Sequence, residues 1–382
     1  MRMRRRFVLL GCAAVLILSG IIWGLRRPKP LYRVTFLPSM GGVETRPHGI
    51  NDSGRIAVTV RMPDGVERVV LWDKSGRMEE LASFPVGSSV ATMVLNNAGQ
   101  VACTVFNDPN RTWNSFFWDV DRRRYTLDAP SAAEVRIRAM NNHGQVVGHW
   151  ASRGPAHAFL WDQAAGMQDL GMFSGGESVA CDLNDRGQIV GYFAMGSLDW
   201  RAFVYDPNLR VRELGFKKSG SDAQCLINDR GFVVGQFNSV QPGPGVCTWT
   251  VPTGSQPLPW KGGGFLQVHG LNDAGCYFVN VSREGIRVGR LEFRRRSESH
   301  LWQSGRHVRQ ITVHLCCGDD LRHRNVTAVS GWGINNKGTI LGAMTVKGSG
   351  RWHAVLLEPM EQARSWSGLE NLRMDPIRRS QP

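Results

Sequence analysis

Beyond residue 30 the apolar positions fall in short runs with strand-like alternation, and no helical period of useful length appears. The runs Arg55–Val60, Gln145–His149, Gln188–Tyr192 and Phe232–Gln236 each follow a tetrapeptide of the form Asn-Asp/Asn-x-Gly. The Gly of such a turn takes the positive φ that a tight hairpin needs, so each run reads as the strand leaving a hairpin. Together with a preceding apolar residue, the motif recurs seven times, at Asn51, Asn96, Asn141, Asn184, Asn228, Asn272 and Asn335. Successive spacings are 45, 45, 43, 44, 44 and 63 residues. A period of this length marks one repeat architecture, not several unrelated domains.

The first six units carry two further markers. The first is an aromatic preceded in most units by an apolar residue: Leu71-Trp72, Phe117-Trp118, Leu160-Trp161, Val204-Tyr205, Thr248-Trp249 and Leu301-Trp302. Nine residues after each aromatic comes Leu81, Leu127, Leu170, Leu214, Leu258 or Ile311. A tight hairpin of fixed register accounts for that constant interval. Every unit therefore predicts four short strands, and units of about 44 residues predict β-propeller blades. The seventh unit ends at His353-Ala354-Val355-Leu356-Leu357, its third strand, and no strand pattern follows. Leu37 precedes Asn51 by 14 residues, the interval by which Leu127, Leu170, Leu214 and Leu258 precede the next Asn. Tyr32–Leu37 is thus expected to be the missing outer strand, antiparallel to Ala354–Leu357, leaving no open sheet edge. The predicted fold is all-β: a single seven-bladed propeller over 31–358, followed by a basic, mobile tail over 359–382.

The third unit reads Asn141-Asn142-His143-Gly144-Gln145-Val146-Val147-Gly148, then His157-Ala158-Phe159-Leu160-Trp161, then Met167-Gln168-Asp169-Leu170-Gly171. It resembles the bacterial HAF repeat, named for its His-Ala-Phe triplet. The resemblance spans about residues 31–358. It is specific in the third and fourth units and looser elsewhere, with Ser115-Phe116 replacing His-Ala in the second and Leu357 replacing Trp in the seventh. It implies a propeller-like fold in an extracellular setting and no defined reaction.

An export signal comes from the N-terminus itself. Phe7 to Leu25 is free of charge over 19 residues, preceded by Arg2, Arg4, Arg5 and Arg6 and followed by Arg26 and Arg27. As a helix this run spans roughly the hydrocarbon core of a bilayer. Residues 1–30 are read as a signal-anchor, with 7–25 in the membrane and the body extracytoplasmic, in the periplasm or at the cell surface. A cleaved signal peptide is the alternative, although Ser19-Gly20 is followed by Ile21-Ile22-Trp23 and offers no ordinary cleavage site. The net charge of +14 also shrinks on this reading. Residues 1–30 hold seven cations and no acid, which leaves 39 Lys and Arg against 32 Asp and Glu. A mildly basic body is no nucleic-acid surface.

With 44 Gly and 13 Trp, the candidate chemistry is mostly aromatic. The Asn-Asp-x-Gly turns are capping motifs, and one Asp per blade is too few for calcium. Trp72, Trp118, Trp161, Trp249 and Trp302 form a packing column between blades. Trp113, Trp200 and Trp352 share one position, just before the third strand, and Trp150 lies at the exit of a second strand. These four fall on the face opposite the Asn turns, where extra chain at Ser282–Ser299 and Thr312–Ala328 also falls. Arg111, Arg153, Arg201 and Arg351 stand beside them. Cations beside aromatics suit an acidic glycan, peptide or protein ligand. His48, Met93, Arg138, Cys181, Cys225, His269 and Trp332 each sit three residues before the motif Asn, forming a ring near the central channel. Packing explains that ring more simply than a His/Cys metal site. The cluster His314–His323, with Cys316 and Cys317, offers a further ligand set or a disulfide. No nucleophile elbow, phosphate loop or dinucleotide fingerprint is present, and no cofactor is expected. The expected function is a non-catalytic binding scaffold. The alternative is a polymer-acting hydrolase or lyase using carboxylates such as Asp108, Asp199, Asp319 and Asp320 on the same face.

Overall fold

The computed structural model describes residues 32–359 apart from 130–133, 153, 172–175, 197–198, 208–209, 219–223, 239–243, 259–264, 284–286, 289–290, 293–295, 305, 312–325 and 347–350. The anchor expected at 7–25, the tail after residue 359, Arg153, Asp319, Asp320 and the Cys316-Cys317 pair lie outside the described residues. Among those described, the strands form seven four-stranded antiparallel sheets and one small hairpin, with no helix. No helix there is long and apolar enough to cross a membrane. Blade 1 runs outward through Glu44–Ile50, Ile56–Arg61, Glu67–Trp72 and Met78–Phe84, and blades 2 to 6 repeat that order. The innermost strand of each blade lies against the innermost strand of the next, and that of blade 7 lies against that of blade 1.

Ring closure follows the predicted register. Tyr32–Phe36 pairs antiparallel with Trp352–Pro359 as the outer strand of blade 7, Val34 opposite Leu357 and Phe36 opposite Val355. Leu37 extends the pairing by donating its N–H to the Ala354 carbonyl at 3.0 Å. The strand seals two seams. Tyr32, Val34 and Phe36 pack with Val355 and Leu357 against Phe278 and Leu301 of blade 6, while Leu37 packs with Ala354 and Leu356 against Trp72 of blade 1.

The repeat motif is explained by packing. Each column Trp is buried against the preceding blade; Trp161, for example, lies 5.0 Å from the Phe117 ring of blade 2. Gly148 sits opposite Phe159 in the register, and a Cβ at Gly148 would collide with the Arg136 carbonyl and press on that ring. Gly191 stands in the same relation to Phe203 and the Val179 carbonyl. The third residue of the His-Ala-Phe triplet therefore covers a glycine that admits the neighbouring strand. Ala158 is fully buried, and His157 Nδ1 meets Asp169 Oδ2 at 3.0 Å across the outer hairpin.

Candidate functional site

Seven Asn-Asp/Asn-x-Gly turns surround one end of the channel, and their side chains bond from blade to blade. The side-chain amide of Asn51 donates to the carbonyl of Asn96 at 3.1 Å, and the pattern passes through Asn141, Asn184, Asn228 and Asn272 to Asn335. Asn335 completes the circle by donating to Asn51 at 3.0 Å. Meanwhile each Oδ1 accepts N–H groups of its own turn, as Asn228 does from Arg230 and Phe232. This position needs a donor and an acceptor at once, which Asn has and ionised Asp lacks.

A second circle uses the next residue. The N–H of Asp52 donates to Asn97 Oδ1, and the chain continues through Asn142, Asp185, Asp229, Asp273 and Asn336 back to Asp52. Only an acceptor is required here, so Asp and Asn both occur. Amide groups of Asn97, Asn142 and Asn336 also donate to the carboxylates of Asp52, Asp185 and Asp273. Asp229 stands between two acids. Burial first, then Asp185 and Asp273, push its carboxyl up. Deeper in, Asp182 is pushed up to about 7 by burial, although it accepts the N–H groups of Ile227 and Leu183 at 2.8 and 2.9 Å.

Behind the circles the channel opens into a chamber of about 230 Å³, lined by the full ring of His48, Met93, Arg138, Cys181, Cys225, His269 and Trp332. Four of these are β-bulge residues: the register skips His48, Arg138, Cys181 and Trp332 in their innermost strands. A bulge re-aims the side chain it carries, which is how those positions face the channel. Burial holds His48 and His269 down to about 4, with Arg46 adding to the effect on His48. Among the described residues no group of three His, Cys, Asp or Glu is arranged to hold a metal ion.

On the opposite face all four predicted Trp sit at the hairpins between second and third strands. Trp113 faces Phe106, Trp150 faces His157, Trp200 faces Ala194 and Trp352 faces Thr345. Their surroundings differ. Trp200 is 6% exposed and packs with Tyr192, Cys225 and Trp249 in the core between blades 4 and 5. Arg201 beside it is paired with Asp199 and Glu213 at 3.2 Å. Trp352 is half-buried, and Arg111 is exposed at a positive φ of 52°.

The rim between blades 2 and 3 gathers the most chemistry. The Arg136 guanidinium stacks 4.0 Å over the Trp113 ring, Phe106 lies 4.7 Å from that ring, and Glu134 pairs with Arg136 at 3.4 Å. Trp150 stacks on His157 at 4.3 Å. Arg136 was not among the predicted cations, because the partner of Trp113 comes from the next blade. Extra chain in blade 6 also lies on this face, as the hairpin of Arg287–Val288 and Leu291–Glu292. Asp108 and Asp199 belong to different blades, 2 and 4, and Asp199 is taken up by Arg201 of its own blade.

Comparison with protein-family models and with curated proteins finds no match. Solved structures do match in fold. The propeller domain of the Trilobed protease from Pyrococcus furiosus, described as having an open velcro topology, aligns with a TM-score of 0.54 at 8% identity, covering 86% of this chain and 95% of that one. A virginiamycin B lyase from Staphylococcus aureus with quinupristin aligns at 0.52 and 11% identity, covering 86% and 100%. A prolyl endopeptidase aligns at 0.56 and 12% identity over 86% of this chain, which spans only 50% of that protein's length. The fold is a seven-bladed β-propeller.

Proposed function

We propose that this chain is a membrane-anchored, extracytoplasmic propeller of the HAF-repeat type that acts as a non-catalytic binding scaffold. The observation that carries the reading is the pairing of Trp113 with Arg136 across the seam of blades 2 and 3. A partly exposed guanidinium held over an indole presents a cation and an aromatic face together, which suits an acidic glycan or an acidic peptide. Trp150 on His157 extends that surface within blade 3. Rigid blades with the longest connections on one face place such a surface where scaffolds usually bind. The uncharged run 7–25 supports the anchor.

The test is a binding screen of the full chain against acidic glycans and protein fragments, repeated with Trp113→Ala and Arg136→Ala. The reading expects a ligand whose affinity falls at least tenfold in both variants, and binding unaffected by either variant would oppose it. The lyase neighbour shares the fold, so the recovered ligand is also analysed. Intact ligand supports the scaffold, and cleaved ligand the hydrolase or lyase alternative. A reporter fused at the C-terminus should be active only outside the cytoplasm; cytoplasmic activity would oppose the export reading.

A further inference from the structure

The central chamber contains a cation that no ion pair among the described residues balances. Arg138 reaches the chamber from the bulge in the innermost strand of blade 3. Its Nε is buried without a hydrogen-bond partner, and among the described residues its guanidinium makes no ion pair. Among the described residues the chamber wall includes no Asp or Glu. Its two imidazoles, His48 and His269, are neutral near pH 7 because burial holds them down to about 4. A half-buried guanidinium with unused donors is costly, and an anion offering two acceptors satisfies it best.

The rest of the wall favours an organic anion over a bare inorganic one. Trp332, carried in by the bulge of blade 7, is 37% exposed, one of the few large apolar side chains left open. Its ring lies 5.6 Å from that of His269, giving a wall of two aromatic groups from neighbouring blades. Met93 adds a polarisable side chain that adapts to a flat ligand. At about 230 Å³ the chamber is somewhat smaller than a pocket for a drug-sized molecule.

We propose that the central chamber binds a small organic anion, with its carboxylate or phosphate head on Arg138 and its flat apolar body against Trp332 and His269. This site is separate from the rim of blades 2 and 3 and does not depend on what the rim binds.

Isothermal titration of the full chain with benzoate, phenyl phosphate, inorganic phosphate and benzylamine tests it. Benzoate or phenyl phosphate should bind saturably and benzylamine should not, and the tighter of the two anions identifies the head group. Arg138→Met should weaken both aromatic anions at least tenfold. Trp332→Ala should weaken them while leaving inorganic phosphate unchanged. Aromatic anions binding no better than benzylamine, or an affinity unmoved by Arg138→Met, would each overturn the proposal. If Arg138→Met fails to fold, Trp332→Ala decides, and unchanged affinity for benzoate and phenyl phosphate overturns it.

Discussion

Asn335 donates its side-chain amide to the carbonyl of Asn51 at 3.0 Å, joining two positions 284 residues apart in the chain. That bond is the last link in the circle around the channel. A second clasp, Tyr32–Phe36 on Trp352–Pro359, closes the same ring at its outer edge. Closing so long a loop costs entropy that grows only slowly with length, so a few well-made bonds and a sealed apolar seam can hold it.

Adjacent residues in one turn should respond in opposite ways to exchanging amide and acid. Asn228→Asp removes the donor to the Asn272 carbonyl and puts a charge where exposure is 5%. Urea unfolding at pH 7 should show a loss of about 1–3 kcal/mol or more. Asp229→Asn keeps the acceptor that Asp185 uses and removes a charge crowded by two acids. It should be neutral or stabilising. Equal losses in the two variants would contradict the division of roles between the circles.

Asp182 should make the fold less stable as the medium becomes more basic. Its folded value of about 7 lies above the ordinary 3.8, so the native state holds the extra proton between those values. Stability from this group is present at low pH and is lost as pH rises through that window. Asp182→Asn should therefore gain on the wild type at pH 8, with the gap closing near pH 4. Denaturant midpoints across pH would show it, and a gap independent of pH would count against it.

The histidines act in the other direction. Folded values of about 4 for His48 and His269, and about 3 for His149, lie below the ordinary 6.5. The unfolded chain binds more protons between these values, so stability is full above pH 6.5 and falls as pH drops towards 4. Asp182 offsets only part of that loss. Melting temperature should decline from pH 7 to pH 4.5, and His269→Gln should make the decline shallower; a decline unaltered by His269→Gln would place the acid sensitivity elsewhere.

Gly191→Ala should be costly where Gly154→Ala is not. A Cβ at residue 191 meets the Val179 carbonyl and comes within 2.9 Å of the Phe203 ring, whereas residue 154 has nothing within 4 Å. Overpacking of this kind costs about 1–3 kcal/mol. Thermal melts of the two variants check it, and similar melting temperatures would contradict the close approach of strands at Gly191.

Architecture was legible in the sequence because it is written in spacing. The intervals between the motif Asn residues fixed the number of blades, and the 14 residues from Leu37 to Asn51 placed the closing strand. Position within the repeat, with the antiparallel order of strands, also located Trp113, Trp150, Trp200 and Trp352 at the correct hairpins. It said little about what faces them across a seam. Trp113 and Trp200 are equivalent in the repeat, yet one carries Arg136 of the next blade on its ring and the other is packed beside Cys225 and Trp249. The central ring was visible as a column of unlike residues, but the bulges that turn Arg138 and Trp332 into one chamber depend on backbone register, which residue types do not announce. The same holds for the amide circles, whose partners lie 43 to 63 residues away within the repeats.

The closed ring is the frame on which both the rim and the chamber depend, and one melting experiment tests it most directly. Deleting 32–37 from the full chain strips blade 7 of its outer strand and uncovers Val355, Leu357 and Leu356. Each large side chain lost from burial is worth about 1.5–3 kcal/mol, against a total stability of about 5–15 kcal/mol for a domain. The shortened chain should aggregate or melt far below the intact one. If the two melt alike, Tyr32–Phe36 does not close the propeller and the account fails.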